Sequence, residues 1–283
     1  MAIAILGTGL MGAGLAEAAL ARGETVTVWN RTRAKAEPLA ALGARVAGTP
    51  GDAVVGADRI HLFLHADAAV DNVLGDILAD VEADAVVIDH TTTSPERTAD
   101  RAEMLDTAGI AFLHVPVFMS PANCRNGTGL MVAAGSAAVF AKHEAALRQM
   151  TGDVWFLGER PDLAACYKLF GNAMLLGIAG LLGDVYTMAR TNKIDPQAAH
   201  ELFSKLDVGM AVKVRGLKMA KNDFSPSFQL DTARKDIGLM IESAQPNELA
   251  LLPGLAARMD AGIAKGLGAE DFGIICKSDL EQP

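Results

Sequence analysis

Residues 2–12 read Ala2-Ile3-Ala4-Ile5-Leu6-Gly7-Thr8-Gly9-Leu10-Met11-Gly12, and this stretch decides the fold. Five apolar residues make a strand, and a glycine-rich turn leads from it into an amphipathic helix over 11–22. Gly7, Gly9 and Gly12 match GxGxxG, a weak pattern alone and a specific one between a strand and a helix. Gly7 permits the tight turn, Gly9 lets a pyrophosphate approach the backbone, and Gly12 allows helix and strand to pack closely. Leu10 and Met11 stand at the helix start, where free N–H groups and the positive end of the helix dipole attract phosphate. The implied ligand is a dinucleotide.

The next strand, over 25–29, ends in Asn30-Arg31-Thr32, with Lys35 close behind. A chain that binds NAD usually carries Asp or Glu here to hold the ribose 2′-OH. Asn30 is neutral, and Arg31 offers a planar fork that pairs with a 2′-phosphate and can lie against adenine. Thr32 adds a hydroxyl and Lys35 a positive charge. The expected cofactor is NADP(H).

Further along, short β-rich runs alternate with helical ones. Strands are expected at 44–46, 59–64, 85–89, 111–115, 130–134 and 154–157, and a helix over 35–42. This alternation implies a parallel, doubly wound sheet with right-handed crossovers. Beyond Gly158-Glu159-Arg160-Pro161 the strand pattern stops, and Asp195-Pro196 reads as an N-cap and first helical position. The expected fold is α/β: an N-terminal doubly wound Rossmann domain over 1–160, followed by an all-α C-terminal domain over 161–283.

Composition sets the outer limits. With 51% hydrophobic and 21% charged residues among 283, a large core is expected. A formal net charge of −9 argues against nucleic acid as partner. Cys124, Cys166 and Cys276 form no CxxC, and the six histidines show no metal spacing, so no metal is expected. The apolar stretch 169–189 contains Asn172, Asp184 and four glycines, which favours a buried core helix over a membrane span. No basic n-region or cleavage site precedes the first strand, so a cytoplasmic protein is expected.

Together the glycine loop, Val28-Trp29-Asn30-Arg31-Thr32 and the helical second half resemble the β-hydroxyacid dehydrogenase family, which includes 3-hydroxyisobutyrate dehydrogenases and NADP-preferring glyoxylate/succinic semialdehyde reductases. The resemblance covers nearly the whole chain. It implies an oxidoreductase of small aldehydes, ketones or hydroxy acids. It also implies roles for particular residues. Leu64 and His65 match the cofactor-contacting loop. Asp89-His90-Thr91-Thr92-Thr93-Ser94-Pro95 matches a segment whose threonine, here Thr92, lies beside the nicotinamide. Tyr167-Lys168-Leu169-Phe170-Gly171-Asn172 resembles the catalytic helix, and Lys235 a late lysine that reaches the cofactor.

Hydride transfer to a carbonyl needs a proton for the nascent alkoxide. Lys168 is the expected acid/base. Asn172, four residues on, shares its helix face and could orient it. Without the resemblance Lys168 would read as a lysine snorkelling from an apolar helix, and Lys235-Asp236 reads equally as a surface ion pair. The substrate loop departs from the family's Asp-Ala-Pro-Val-Ser-Gly-Gly. This chain has His114-Val115-Pro116-Val117-Phe118-Met119-Ser120. Phe118, Met119, Ser120 and Asn123 are the expected substrate-facing residues, with Ser120 and Asn123 compensating from a shifted position. An imine reductase-like enzyme and a non-catalytic NADP-binding protein are the alternatives. The small-molecule substrate is expected to be the principal partner, with copies of the chain assembling as a homodimer or homotetramer.

Overall fold

The computed structural model describes residues 2–277. Two compact units are present, one up to Asn172 and one from Ala173 onward.

The first unit is a nine-stranded sheet with helices on both faces. At its centre lies β1 (Ala2–Leu6), with Ile3, Ala4, Ile5 and Leu6 all buried, as a strand covered on both faces requires. β2 (Thr25–Trp29) and then β3 (Arg45–Val46) pair in parallel on one side of it. On the other side follow β4 (Arg59–Leu62), β5 (Val86–Asp89) and β6 (Ala111–His114), also parallel. β7 (Val117–Phe118) and β6 both pair antiparallel with β8 (Leu130–Gly135), which runs parallel to β9 (Asp153–Gly158). The order β3-β2-β1-β4-β5-β6 places a topological switch between β1 and β4. There the connections leave the sheet in opposite directions and open a crevice at the carboxyl ends of the strands.

Side chains alternate across this sheet with the period of two that a pleated strand imposes. Leu6, Ile60, Leu62 and Val87 pack on α3 (Asp67–Ile77) and α4 (Pro95–Thr107). On the opposite face Val86, Ile88, Leu113 and Met131 pack with Phe140 and Leu147 of α6 (Ala137–Thr151). α1 (Leu10–Ala21) is not the amphipathic helix expected. Its buried positions are small, Gly12, Gly14, Ala16, Ala18 and Ala19 among them, because it is covered on two sides. One is the sheet, and the other is α5 (Pro121–Asn126), where a Cβ on Gly14 would come within 3.2 Å of Cys124 Cβ. The short α2 (Pro50–Val54) completes the first unit's helices. The stretch 35–42 is not one α-helix but two 3-10 segments, Arg33–Lys35 and Glu37–Leu42, since Pro38 has no N–H to donate.

α7 (Leu163–Thr191) starts in the first unit, so Lys168 belongs with the sheet. The second unit is helical. α8 (Pro196–His200) is capped by Asp195, which accepts from Gln197 N at 2.7 Å. A π-helical turn, Ala211–Gly216, runs into α9 (Leu217–Ala220). α10 (Leu230–Ser243) and α11 (Leu252–Ala264) supply the core through Leu230, Ile237, Leu252 and Met259. Buried Asp184 accepts from the backbone N–H groups of Ala250, Leu251 and Leu252 at 2.6, 2.9 and 3.0 Å. The expected burial of 169–189 is overturned for the single chain: only 6% of the helix's apolar window is buried. By length and composition alone this helix could cross a membrane.

Candidate active site

A groove of about 1160 Å³ opens at the switch point, lined wholly by residues of the first unit. The glycine loop forms its floor. Gly7 has φ +101°, and a Cβ there would sit 2.2 Å from Phe63 O; a Cβ on Gly12 would sit 1.9 Å from Gly7 O. At Gly9 nothing lies within 4 Å, so the space above that backbone is open to a ligand. α1 has Gly9 as its N-cap, with no side-chain cap and no acidic residue in its first turn. Its leading N–H groups therefore remain free to meet phosphate oxygens. Thr8 Oγ1 is buried without a partner among the described residues. A free cap, an open glycine and an orphaned hydroxyl together fit a dinucleotide's pyrophosphate.

Leu10, Met11, Arg31, Thr32, Lys35, Leu64, His65, Thr92, Met119 and Lys168 share the lining of this groove. Asn30 lines it too, but both ends of its amide are engaged. Oδ1 accepts from Thr8 N at 3.0 Å and Nδ2 donates to Thr32 O at 3.0 Å. It ties the end of β2 to the glycine loop. Lys168 is half-buried, and desolvation lowers its pKa from the ordinary lysine value. Its Nζ donates to Val117 O at 2.8 Å and lies 4.2 Å from the Phe118 ring centroid.

Other expected site residues stand elsewhere. Asn172, one turn beyond Lys168 on α7, is not among the lining residues. Phe118 packs behind Lys168 against Val132, Ala134 and Ala164. Ser120 and Asn123 form a capping box at the start of α5, with their side-chain oxygens 2.6 Å apart and Asn123 Nδ2 donating to Thr128 Oγ1 at 2.8 Å. Lys235, on the second unit, pairs with Asp236 at 3.0 Å, with its side chain 65% exposed.

Sequence reasoning gave no role to Trp29, Phe63, Asn72 or Asp76, which also line the groove. Asn72 and Asp76 project from α3 at helical spacing, a signal legible only once the groove is known to run along that helix. His90 is another. Its Nδ1 lies 2.6 Å from Val115 O and so carries the proton, leaving Nε2 to accept from His61 Nδ1 at 2.9 Å. Burial lowers the pKa of His61 well below its usual value and that of His90 to about 3, so both rings are neutral. His90 also stacks on Phe63, centroids 4.4 Å apart, and thereby backs the strand end against which Gly7 closes.

The fold and the groove define a dinucleotide-binding protein of Rossmann type. Residues 2–158 match the family described as the NAD binding domain of 6-phosphogluconate dehydrogenase. The chain is 30% identical over 247 residues to the cytokine-like nuclear factor N-PAC of Xenopus tropicalis, matching over 84% of its own length and spanning 45% of that longer protein. It is 27% identical over 281 residues to the 3-sulfolactaldehyde reductase of Escherichia coli, covering 97% of this chain and 94% of that one. Among solved structures, the imine reductase from Myxococcus stipitatus in complex with NADP+ shares the fold, with TM-score 0.89, 24% identity and coverage of 97% and 98%. A V8 variant of that enzyme, in complex with NAD+, has TM-score 0.87, 23% identity and 97% coverage of both chains. The chain belongs to the β-hydroxyacid dehydrogenase family of oxidoreductases.

Proposed function

We propose that the chain is an NADP(H)-dependent reductase of small aldehydes or ketones, equally able to run the reverse alcohol oxidation, with Lys168 as general acid/base. The observation that carries this reading is the placement of the Lys168 ammonium in the same groove as the glycine loop and Arg31. Arg31, Thr32 and Lys35 would hold the 2′-phosphate, while the free N–H groups of α1 would hold the pyrophosphate. When bound, the nicotinamide supplies the hydride for the carbonyl carbon or accepts it back from the alcohol. Lys168 gives its proton to the carbonyl oxygen as the alcohol forms and regains it from solvent. Val117 O fixes the direction of the ammonium. A second reading, an imine as hydride acceptor, is favoured by the apolar Met119 lining the groove beside Lys168. An iminium carbon beside a lysine ammonium is opposed by like-charge repulsion, so the carbonyl reading is preferred. Copies of the chain assemble as a dimer or tetramer in this proposal.

The test is NADPH oxidation with a panel of semialdehydes, keto acids and cyclic imines. Lys168→Ala is expected to slow carbonyl reduction by roughly 10²–10⁴-fold, the scale of general acid catalysis, with NADPH affinity retained. Because desolvation lowers the amine's pKa, reduction, which uses the ammonium, should decline at a pH below the ordinary lysine range. Oxidation, which uses the free amine, should rise through the same pH. Unchanged activity in the variant would refute the assignment.

A further inference from the structure

β7 is two residues long, and both contact Lys168. Val117 O takes one of its N–H groups at 2.8 Å, and the Phe118 ring covers another side, 4.2 Å from Nζ to the centroid. An ammonium has three N–H donors; one goes to Val117 O and the ring covers a further side, so only part of the ammonium is left open to a substrate. The ring packs against Val132, Ala134 and Ala164 on its other side. A Cβ on Gly171 would come within 2.4 Å of two ring atoms, which shows how closely helix and ring approach. Next along the chain, Met119 lines the groove with an apolar side chain. The polar groups that follow are committed, since Ser120 and Asn123 cap α5 and bond each other.

We infer that Phe118 sets the substrate class: by covering one side of the Lys168 ammonium beside the apolar Met119, it makes the site accept carbonyl compounds with uncharged substituents next to the reacting carbon and discriminate against those carrying a carboxylate or sulfonate there. A carbonyl oxygen needs one donor, which Lys168 has. A carboxylate brings two oxygens and a hydration shell, and beside Lys168 it would lose that shell against Val117 and Met119, whose side chains offer no donors in return. Its charge would face an ammonium already shared between a carbonyl and a ring. Phe118 is thus a positioning residue that acts through Lys168. The inference rests on the reading of Lys168 as the proton donor.

The experiment compares pyruvate, whose carboxylate adjoins the reacting carbonyl, with methyl pyruvate as substrates of the full chain with NADPH. The wild type is expected to favour the ester by about tenfold or more in kcat/KM, the scale of one unmet hydrogen bond to a charged group. Phe118→Ser, which uncovers the ammonium and adds a hydroxyl, should narrow or reverse that ratio, chiefly through the KM of the acid. Phe118→Tyr keeps the ring and should keep the wild-type ratio. Phe118→Leu, for use if the serine variant no longer binds NADPH by fluorescence, should move the ratio the same way to a smaller degree. A wild type that prefers the acid, or a ratio unmoved in a cofactor-binding Phe118→Ser or Phe118→Leu variant, overturns the inference while leaving Lys168 in its role. Failure of the wild type to reduce either compound, with NADPH bound, overturns both.

Discussion

Arg31 lies exposed at the end of β2 and lines the groove beside Thr32 and Lys35. A guanidinium there has little to do for the fold and much to do for a phosphate. Arg31→Ala is therefore expected to weaken NADPH by roughly 1.5–3 kcal/mol, as for a hydrogen bond to a charged group. NADH binding should hardly change. Fluorescence titration of both cofactors checks this, and equal losses would remove Arg31 from the 2′-phosphate site. Its neighbour Asn30 shows where residue-level reading stops. The residue type was legible as the neutral replacement for a carboxylate. Its use as a brace between Thr8 and Thr32 depends on a hydrogen bond to a strand and loop 22 positions away. Likewise Ser120 and Asn123 were legible as polar groups near the substrate loop, but local backbone geometry turned them toward each other.

At the scale of elements, the strands were the most legible part. Apolar runs with β-branched residues mark buried parallel strands wherever they occur, and β1 and β2 lie at 2–6 and 25–29, as the pattern predicts. Helix character was harder, because the partner on the second face is invisible in a single stretch, as α1 and α5 show. The second unit depends on a buried acid. Asp271 caps the Phe272–Cys276 turn by accepting from Gly273 N, and it also accepts from Ser227 N, Ser227 Oγ and Phe228 N, with Arg215 at 3.1 Å. Burial alone would raise its pKa, but these hydrogen bonds outweigh burial and hold the carboxyl well below the usual carboxylate range. A depressed folded-state pKa means stability that is present above the unfolded value, about 4, and lost as pH falls through the folded one. Asp271→Asn is expected to cost ~2–4 kcal/mol at neutral pH, as for removal of a buried, charged hydrogen-bond hub. The gap from wild type should shrink in denaturant titrations at pH 3. A gap that stays constant with pH would mean the charge plays no part.

For the whole molecule, the proposed assembly rests on α7. Leu169, Phe170, Met174, Leu175, Leu176, Ile178 and Leu181 are all exposed, Leu176 to 73%. Leu202, Leu206, Val208, Val212 and Val214 of the second unit are exposed as well. A monomer seldom leaves so many large apolar side chains in water, and a second copy of the same chain offers the same apolar chemistry in a closed, symmetric contact. Light scattering should give a mass of two or four times the 29.5 kDa chain. Leu176→Glu should shift it toward the monomer with the sheet unit intact by NADPH binding. A monomeric wild type, or one that sediments with neutral lipid vesicles, would count against self-assembly.

Local chemistry was enough for the family, the Rossmann sheet and the glycine loop. Strand periodicity, a glycine-rich turn between strand and helix and a cationic strand end are all properties of short stretches, so each could be recognised where it stands. Only the tertiary structure decided which polar groups were already satisfied, that Phe118 lies on Lys168, that His61 and His90 form a neutral buried pair, and that α7 is left uncovered in a single chain. Those outcomes depend on hydrogen bonds and packing between residues far apart in sequence, where the partner settles the result.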